Sequence, residues 1–283
     1  MQPQPQAGAP RARPDSSAGD LLYVSDQERA KVYVYQYPAG QLAATLTGLQ
    51  FPESLCVDQS GNVYVADQGG QKIAEYAHGG TSPIKTWADK EYPVACSVDP
   101  VTGDLAAANE SGTVSVYPSG TGSPAIYTAP FVPWFCAYDT FGNLFADSDG
   151  AGVQIAELPK GGGAFEQVTY REGNNGVVAG MQWVGNHLAV GTASRYSGDC
   201  CGRIHRFSIK GRHGRRAGSM FVPGQMNNFF IYGSTAIVTT GTHRVLFYDY
   251  PKGGGAKLIV KEPGSASYSA VVSPAASGVT PRR

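Results

Sequence analysis

Short runs in which apolar and polar residues alternate recur along most of the chain, separated by clusters of Gly, Pro, Asn and Asp. The clearest example reads Phe51-Pro-Glu-Ser-Leu-Cys-Val-Asp58, Gln59-Ser-Gly-Asn62, Val63-Tyr-Val-Ala-Asp67 and Gln71-Lys-Ile-Ala-Glu-Tyr76. Alternation of this kind predicts half-buried β-strands, and Gly-Asn supplies the positive φ that a two-residue hairpin turn requires. With Ile84-Lys-Thr-Trp87 as a fourth strand, the segment predicts one four-stranded sheet.

The unit recurs about every forty residues. Each copy ends an extended segment with Tyr-Pro-x-Gly or a variant of it, at Tyr37-Pro38-Ala39-Gly40, Tyr76-Ala77-His78-Gly79, Tyr117-Pro118-Ser119-Gly120, Leu158-Pro159-Lys160-Gly161, Ile209-Lys210-Gly211 and Tyr250-Pro251-Lys252-Gly253. The matching sheets begin at Phe51-Pro52, Tyr92-Pro93, Val132-Pro133, Val177-Val178 and Val222-Pro223. A repeat of this length, containing strands and turns, predicts a β-propeller with one four-stranded blade per repeat.

The two ends of the repeat region complete each other. Leu21-Leu-Tyr-Val-Ser25 begins as a second strand, and Ser267-Tyr-Ser-Ala-Val-Val-Ser-Pro274 is an inner strand with no blade after it. Pairing of these strands would complete the first blade, close the ring and leave no free sheet edge at the junction. We therefore predict an all-β, six-bladed propeller over residues 21–274, flanked by a disordered Pro/Gln/Ala-rich tail (1–20) and a flexible C-terminal tail (275–283).

The repeat resembles the NHL repeat and related bacterial six-bladed propellers. The resemblance rests on Pro52 to Asp58 and on Gly61-Asn-Val-Tyr-Val-Ala-Asp67, with weaker copies at Pro93 to Asp99 and Pro133 to Asp139. It implies the fold but no particular activity, because this repeat occurs in binding scaffolds and in enzymes alike. More distantly, the chain is similar to the gluconolactonase- and regucalcin-type propellers.

The amino-acid composition of the chain limits the classes of partner that it is expected to bind. Charged residues make up 16% of the chain and sum to a formal charge of zero, so no overall field attracts nucleic acid. The basic stretch Lys210-Gly-Arg-His-Gly-Arg-Arg216 is interpreted as a solvated turn. No apolar run reaches the roughly 18–20 residues of a membrane span. The N-terminal stretch has no apolar signal core and is either the spacer left after removal of an export signal or lipid anchor, or the leader of a cytosolic protein. We predict an exported monomer that is periplasmic, cell-surface or extracellular.

The cysteines fall into two groups. Cys56, Cys96 and Cys136 lie in inner strands of neighbouring blades, which diverge around a channel, so we expect these thiols to be buried and too far apart to bridge. Cys200 and Cys201 are adjacent in a longer loop and are candidates for a vicinal disulfide in an oxidising compartment. Two free thiols or a bridge elsewhere in the fold are the alternatives.

Loops between second and third strands and loops between blades share one face of a propeller, here called the top face. Loops on a rigid scaffold carry binding functions, so this face predicts a surface for a small polar ligand, a glycan or a protein. Its candidate binding residues are Trp134, Arg195, Tyr196, Gln225, Asn227, Asn228 and His243. Trp134 could instead pack between blades. Asp67, Asp147 and Asp149 are interpreted as turn caps, because Asp bonds its own backbone in turns.

The resemblance to lactonases of the gluconolactonase type implies an alternative function. Those enzymes hold a divalent cation in the channel mouth with Glu, Asn and Asp side chains, and the matching candidates are Glu53, Asn227 and Asn228, with calcium as the possible cofactor. The corresponding positions of other blades leave the ligand set incomplete: Ala95, Phe135, Ala179 and Ser267. The histidines are dispersed, so no multi-His centre is predicted. We therefore favour a non-catalytic binder and keep a divalent-metal hydrolase as the alternative.

Overall fold

A computed structural model describes residues 19–149, 152–170, 176–194, 201–264 and 266–275. Over these residues the regular secondary structure consists of β-strands and a single 3-10 turn at Pro118–Gly120. The strands are β1 (Leu21–Asp26), β2 (Lys31–Gln36), β3 (Leu42–Leu46), β4 (Pro52–Val57), β5 (Val63–Asp67), β6 (Lys72–Tyr76), β7 (Lys85–Ala88), β8 (Pro93–Val98), β9 (Leu105–Asn109), β10 (Thr113–Tyr117), β11 (Ala125–Thr128), β12 (Phe135–Tyr138), β13 (Leu144–Asp149), β14 (Val153–Leu158), β15 (Glu166–Gln167), β16 (Thr169–Tyr170), β17 (Val177–Val184), β18 (His187–Ala193), β19 (Cys201–Lys210), β20 (His213–Pro223), β21 (Asn228–Tyr232), β22 (Thr235–Thr239), β23 (Arg244–Asp249), β24 (Leu258–Lys261) and β25 (Ser267–Ser273).

These strands form six sheets, which confirms the predicted six-bladed propeller. The orders from the central channel outward are β25-β1-β2-β3, β4-β5-β6-β7, β8-β9-β10-β11, β12-β13-β14-β15, β17-β18-β19-β20-β16 and β21-β22-β23-β24. Five sheets are four-stranded, as predicted. The fifth blade gains a further short strand because β16 pairs in parallel with the outer edge of β20.

The C-terminal strand closes the ring, as the sequence predicts. β25 pairs antiparallel with β1, placing Ser273 opposite Leu21 and Val271 opposite Tyr23. The inner strand of the first blade therefore comes from the opposite end of the chain to its other three strands. The sheet edge that β1 would otherwise expose at the junction is covered.

The hydrophobic core lies between the faces of neighbouring blades. The second strands β5 and β9 are buried along their whole length because both of their faces are covered by adjacent blades. The outer strands β7 and β11 are mostly exposed. Burial therefore falls from the second strand to the outer strand in these two blades.

The glycine that ends each copy of the Tyr-Pro-x-Gly signature is required by the backbone conformation. In all six copies the final glycine lies in the left-handed region, at Gly40, Gly79, Gly120, Gly161, Gly211 and Gly253, with φ between 53° and 75°. A residue with a Cβ rarely adopts this conformation, so glycine is required where the third strand turns back toward the fourth.

The structure corrects one prediction about the cysteines. Cys56 and Cys96 form a disulfide, with their Cα atoms 5.7 Å apart. The expected divergence applies to the outer strands, whereas the inner strands β4 and β8 approach closely at the channel wall, within the Cα separation that a disulfide spans. Cys136 is free and buried, as predicted. Cys201 takes part in a disulfide, while Cys200 lies outside the described residues, so a vicinal bridge stays a prediction.

Candidate functional site

Three consecutive blades present an apolar side chain at the same place on the top face. The segments that lead into β4, β8 and β12 each end in an apolar residue followed by a buried proline. The exposed residues before these prolines are Phe51 (38% exposed), Tyr92 (46%) and Val132 (43%). We call these three residues the top-face row. In each case the proline is buried, whereas the residue before it is exposed.

Tyr92 has an unusual backbone conformation within this row. Its φ is +63°, a value that bulky residues other than glycine seldom adopt. Its carbonyl is held by the backbone N–H of Glu110 at 3.0 Å. Strained backbone at an exposed position is concentrated at functional sites, because surrounding structure must hold it in place. This strain distinguishes Tyr92 from an ordinary exposed aromatic residue.

The loops after β5 and β9 form hydrogen bonds with Phe51 and Tyr92 of the row and place a carboxylate beside them. The Gln68 backbone N–H donates to the Phe51 carbonyl at 3.0 Å, matching the bond between Glu110 and Tyr92. Across the two blades, Gln68 Nε2 donates to Glu110 Oε2 at 2.8 Å. The Glu110 carboxylate is therefore exposed next to two members of the row.

Asp67 and Asp147 hold the segments that lead into the inner strands. Asp67 Oδ1 accepts the backbone N–H groups of Gln50 and Phe51, at 2.9 and 2.7 Å. Asp147 Oδ1 accepts the N–H of Phe135 at 3.0 Å. The prediction that these carboxylates cap their own turns is wrong for the bonds described here, because the partners of Asp67 precede β4 and the partner of Asp147 begins β12. The side chain of Asp149 lies outside the described part of the chain.

Glu53 is a buried acid near the start of β4. It is 7% exposed, and burial raises its pKa to about 7. The side chains of Tyr268 and Gln27 partly oppose this rise, while Glu110 adds to it. A carboxyl group in this range can exchange a proton near neutral pH, which makes Glu53 a chemically distinctive group on this side of the ring.

The side chains of Asn227 and Asn228 make different contacts. Asn228 is buried, its Nδ2 donates to Ser269 Oγ at 3.2 Å, and its Oδ1 accepts the N–H of Phe229 at 2.7 Å. The side chain of Asn227 lies against Gly241, where an added Cβ would be 2.7 Å from Nδ2. These neighbouring amides therefore lie in different surroundings, as expected where side chains alternate along a strand.

The other predicted binding residues differ in exposure. Gln225 and His243 are exposed. Trp134 is partly buried and packs against the core that contains Phe135 and Phe145, while its backbone N–H donates to the Asp147 carbonyl at 2.9 Å. Core packing therefore accounts for part of the Trp134 ring. Two candidates, Arg195 and Tyr196, lie outside the described residues.

The central channel contains a cavity of about 200 Å³ lined by all six inner strands. Its polar side chains bond to the protein itself. Gln182 Nε2 donates to the Ile231 carbonyl at 3.0 Å, and its Oε1 accepts the Ile231 N–H at 2.7 Å. Ser97 Oγ accepts the N–H of Tyr138 at 3.0 Å. These bonds stitch neighbouring inner strands together, so the polar lining has a structural role.

The opposite face also exposes apolar residues, which lie in hairpin turns capped by Asp. Val101 and Phe141 are 63% and 71% exposed at the tips of hairpins between first and second strands. Asp99 and Asp139 accept their backbone N–H groups, at 2.7 and 2.8 Å, in the usual manner of an Asp-capped turn. Their backbone φ values are ordinary, unlike that of Tyr92.

The described ranges contain neither a multi-residue metal cluster nor a membrane-spanning helix. Residues 19–149 and the four later ranges contain no group of three or more His, Cys, Asp and Glu side chains arranged to hold a metal ion. The same part of the chain has no helix long and apolar enough to cross a membrane.

Sequence reasoning did not single out the top-face row. A signal was present, because Phe51, Tyr92 and Val132 each precede a proline that lies at the start of an inner strand or two residues before it. The positive φ of Tyr92 had no such signal. It depends on the bond to Glu110 from the neighbouring loop, which only the folded blade brings into register.

Comparison with known proteins supports the fold. The NHL repeat family matches residues 49–76. A chain in the crystal structure of a nidogen/laminin complex is similar over 92% of this chain and 100% of its own length, with 16% identity and a TM-score of 0.72. Hydrazine synthase of Kuenenia stuttgartiensis is similar over 81% of this chain and 73% of its own, with 15% identity and a TM-score of 0.60. No curated protein matches at the sequence level. Similarity to gluconolactonase-type propellers stays a prediction, whereas the chain contains an NHL repeat within a six-bladed β-propeller.

Proposed function

We propose that this protein is a non-catalytic binding propeller that engages a partner through its top face. The observation that carries the proposal is the top-face row, in which three consecutive blades expose an apolar side chain at one equivalent position. Loops on a rigid sheet scaffold are suited to such contacts. The strained backbone of Tyr92 supports the same face, because the fold maintains an exposed aromatic side chain there at an energetic cost.

The chemistry of this face fits a protein segment better than a small polar ligand or a glycan. Apolar side chains next to the Glu110 carboxylate favour a partner with both apolar and basic side chains. Nidogen, whose propeller resembles this one in fold, was crystallised in a complex with laminin. That precedent shows that the fold is compatible with a protein partner.

Export is part of the proposal. The Cys56–Cys96 disulfide supports it, because such bonds persist mainly in oxidising compartments outside the cytosol. On this basis the partner would be sought among envelope, cell-surface and extracellular proteins.

The hydrolase alternative draws on one observation, the buried Glu53 carboxyl group with its pKa near 7. It requires a stoichiometric cation held with the help of Asn227 and Asn228. Metal analysis of the chelator-free protein and of a Glu53→Ala, Asn227→Ala, Asn228→Ala variant tests it. About one divalent ion per chain, lost in the variant, would favour hydrolysis over simple binding.

Matched variants of the two faces test the binding proposal. The wild type, Phe51→Ser/Tyr92→Ser and the opposite-face control Val101→Ser/Phe141→Ser would be used as immobilised baits for envelope and extracellular proteins. We expect a partner that the wild type and the control retain and that the top-face variant binds at least about tenfold more weakly. Equal retention by the top-face variant and the wild type would contradict the proposal.

A further inference from the structure

The junction between the last and the first blade holds two buried carboxylates. Asp26 ends β1 and is 0% exposed, while Glu262 follows β24 and is 6% exposed. Gly264 lies directly against Asp26, since an added Cβ there would be 1.7 Å from Asp26 Oδ2. This closing junction, formed by Asp26, Tyr35, Glu262 and Gly264, lies where the chain enters β25 to complete the ring.

Four buried oxygen atoms of this junction lack a hydrogen-bond partner among the described residues. They are Asp26 Oδ2, both carboxylate oxygens of Glu262 and the hydroxyl of Tyr35, which is itself 2% exposed. Asp26 Oδ1 accepts the N–H of Arg29, whose half-exposed Nε lies 4.0 Å from Oδ2. Burying carboxylate oxygens without donors is costly, and the cost is relieved by a bound cation or by protonation of one of the acids.

At the equivalent junction between the second and third blades, the acid that follows the outer strand has hydrogen-bond donors from the protein, although Asn109 Oδ1 lacks a partner among the described residues. There, Asp89 follows β7 as Glu262 follows β24, and its N–H donates to a loop carbonyl in the same way. The Tyr117 hydroxyl donates to Asp89 Oδ2 at 3.1 Å. The second strand ends in neutral Asn109, whose Nδ2 donates to Ser115 Oγ at 2.9 Å.

The closing junction differs from this counterpart by one charge and one missing bond. Asp26 stands where the other junction has Asn109, and Tyr35 stands where it has Tyr117; the tyrosines pair with Leu22 and Leu105, equivalent positions in their second strands. Tyr35 donates to neither acid. Burial and the nearby Asp26 raise the pKa of Glu262 to about 8, which shows that the two carboxylates face each other's charge.

We propose that the closing junction binds a calcium-like divalent cation between Asp26 and Glu262, with the Tyr35 hydroxyl as a third oxygen donor. Two carboxylates match the charge of one divalent ion, and oxygen ligands are those that hard cations prefer. Calcium suits the place better than magnesium, because calcium accepts irregular oxygen geometry with longer bonds, whereas magnesium demands a nearly ideal octahedron. The ion joins the β1 end to the segment before β25, so its binding stabilises ring closure. This site is separate from Glu53 and does not depend on the proposed binding function.

Calcium-dependent stability tests the proposal. Thermal unfolding would be measured at pH 8.5 in EDTA, in CaCl₂ and in MgCl₂. A ligand that binds only the folded protein, present at 100 times its Kd, should raise the midpoint of a domain of this size by roughly 5–10 °C. We expect that rise with calcium and a smaller one with magnesium. Tyrosine-sensitised emission of bound Tb³⁺, excited through Tyr33 and Tyr35, reports occupancy independently of stability.

Variants locate the effect. Asp26→Asn copies the neutral partner at the second junction and should fold, yet lose both the calcium-induced rise and the Tb³⁺ emission. Glu262→Gln should do the same, while Glu53→Gln should retain both. The proposal is overturned if 10 mM calcium leaves the wild-type midpoint and Tb³⁺ emission unchanged, which would mean that a shared proton satisfies the acids. It is equally overturned if Asp26→Asn responds to calcium as the wild type does.

Discussion

Buried titratable side chains give this propeller two opposite dependences of stability on pH. Burial, with smaller effects of Arg216 and Arg203, lowers the pKa of His205 to about 4. Its ring nitrogens bond to Thr192 Oγ1 at 3.0 Å and Ser219 Oγ at 2.8 Å. Glu53 has its pKa raised to about 7. The histidine weakens the fold in acid, and the glutamate weakens it toward neutral and alkaline pH.

His205 should produce an acid-sensitive step in stability. Below the ordinary pKa of 6.5, the unfolded chain takes up a proton that the folded chain refuses until about pH 4, so stability falls as pH drops through that window. The loss could reach about 3 kcal/mol. His205→Gln keeps a hydrogen-bonding side chain but cannot titrate, so urea unfolding should show a flatter dependence between pH 6.5 and 4. An unchanged slope in the variant would contradict this role.

Glu53 should make stability depend on pH in the opposite direction. Its raised pKa means that the folded state holds a proton that the unfolded state releases, so stability is lost as pH rises from about 4.5 to about 7. Glu53→Gln should be more stable than the wild type at pH 8, by up to about 3 kcal/mol. The two proteins should converge at pH 4, which serves as the internal control. A variant less stable than the wild type at pH 8 would contradict this prediction, because it would mean that the ionised Glu53 stabilises the fold.

At the scale of elements, the closing strand is predicted to determine whether the ring is stable. β25 buries Ala270, Val271 and Val272 and covers the edge of β1. Deletion of residues 265–283 should therefore abolish a cooperative unfolding transition or lower its midpoint by tens of degrees. Deletion of residues 276–283 alone is the control and should leave the midpoint nearly unchanged. A normal midpoint after the longer deletion would mean that closure by β25 is not essential.

The disulfide between neighbouring blades should contribute separately. Cys56 and Cys96 are 40 residues apart, and a loop of that length predicts a stabilisation of about 3–4 kcal/mol through the unfolded state. Chemical unfolding of a Cys56→Ser/Cys96→Ser variant measures it, with Cys136→Ser as the control for loss of a buried thiol. A proteolytic map of the unreduced protein without a linked Cys56–Cys96 peptide would show that the bond does not form.

The elements were predictable because their signals are local. Gly61-Asn62 specifies a hairpin, and Gly40 and its five counterparts specify the turn after each third strand, so period and turns together gave the six blades. The Cys56–Cys96 bond was not predictable, because it depends on the distance between two inner strands across a blade boundary. The same limit applies to Asp26 and Glu262. They lie near opposite ends of the chain and meet only after β25 is placed in register with β1.

At the scale of the whole molecule, the two faces of the ring differ in the way that the proposed function requires. The opposite face presents apolar residues at the tips of Asp-capped hairpins, with ordinary backbone φ values. The top face presents an apolar row on three consecutive blades, with a carboxylate beside it and a strained tyrosine within it. From the sequence, a binding surface was predicted on this same face, but at other residues, Trp134 and Tyr196 among them, rather than at this row.

Hydrogen–deuterium exchange of the propeller with its recovered partner tests the binding account most directly. We predict slower exchange in the segments that lead into β4, β8 and β12, namely residues 47–51, 89–92 and 129–134, and no change at the hairpins that carry Val101 and Phe141. Protection confined to those hairpins, with the three lead-in segments exchanging as in the free protein, would contradict a top-face binding function.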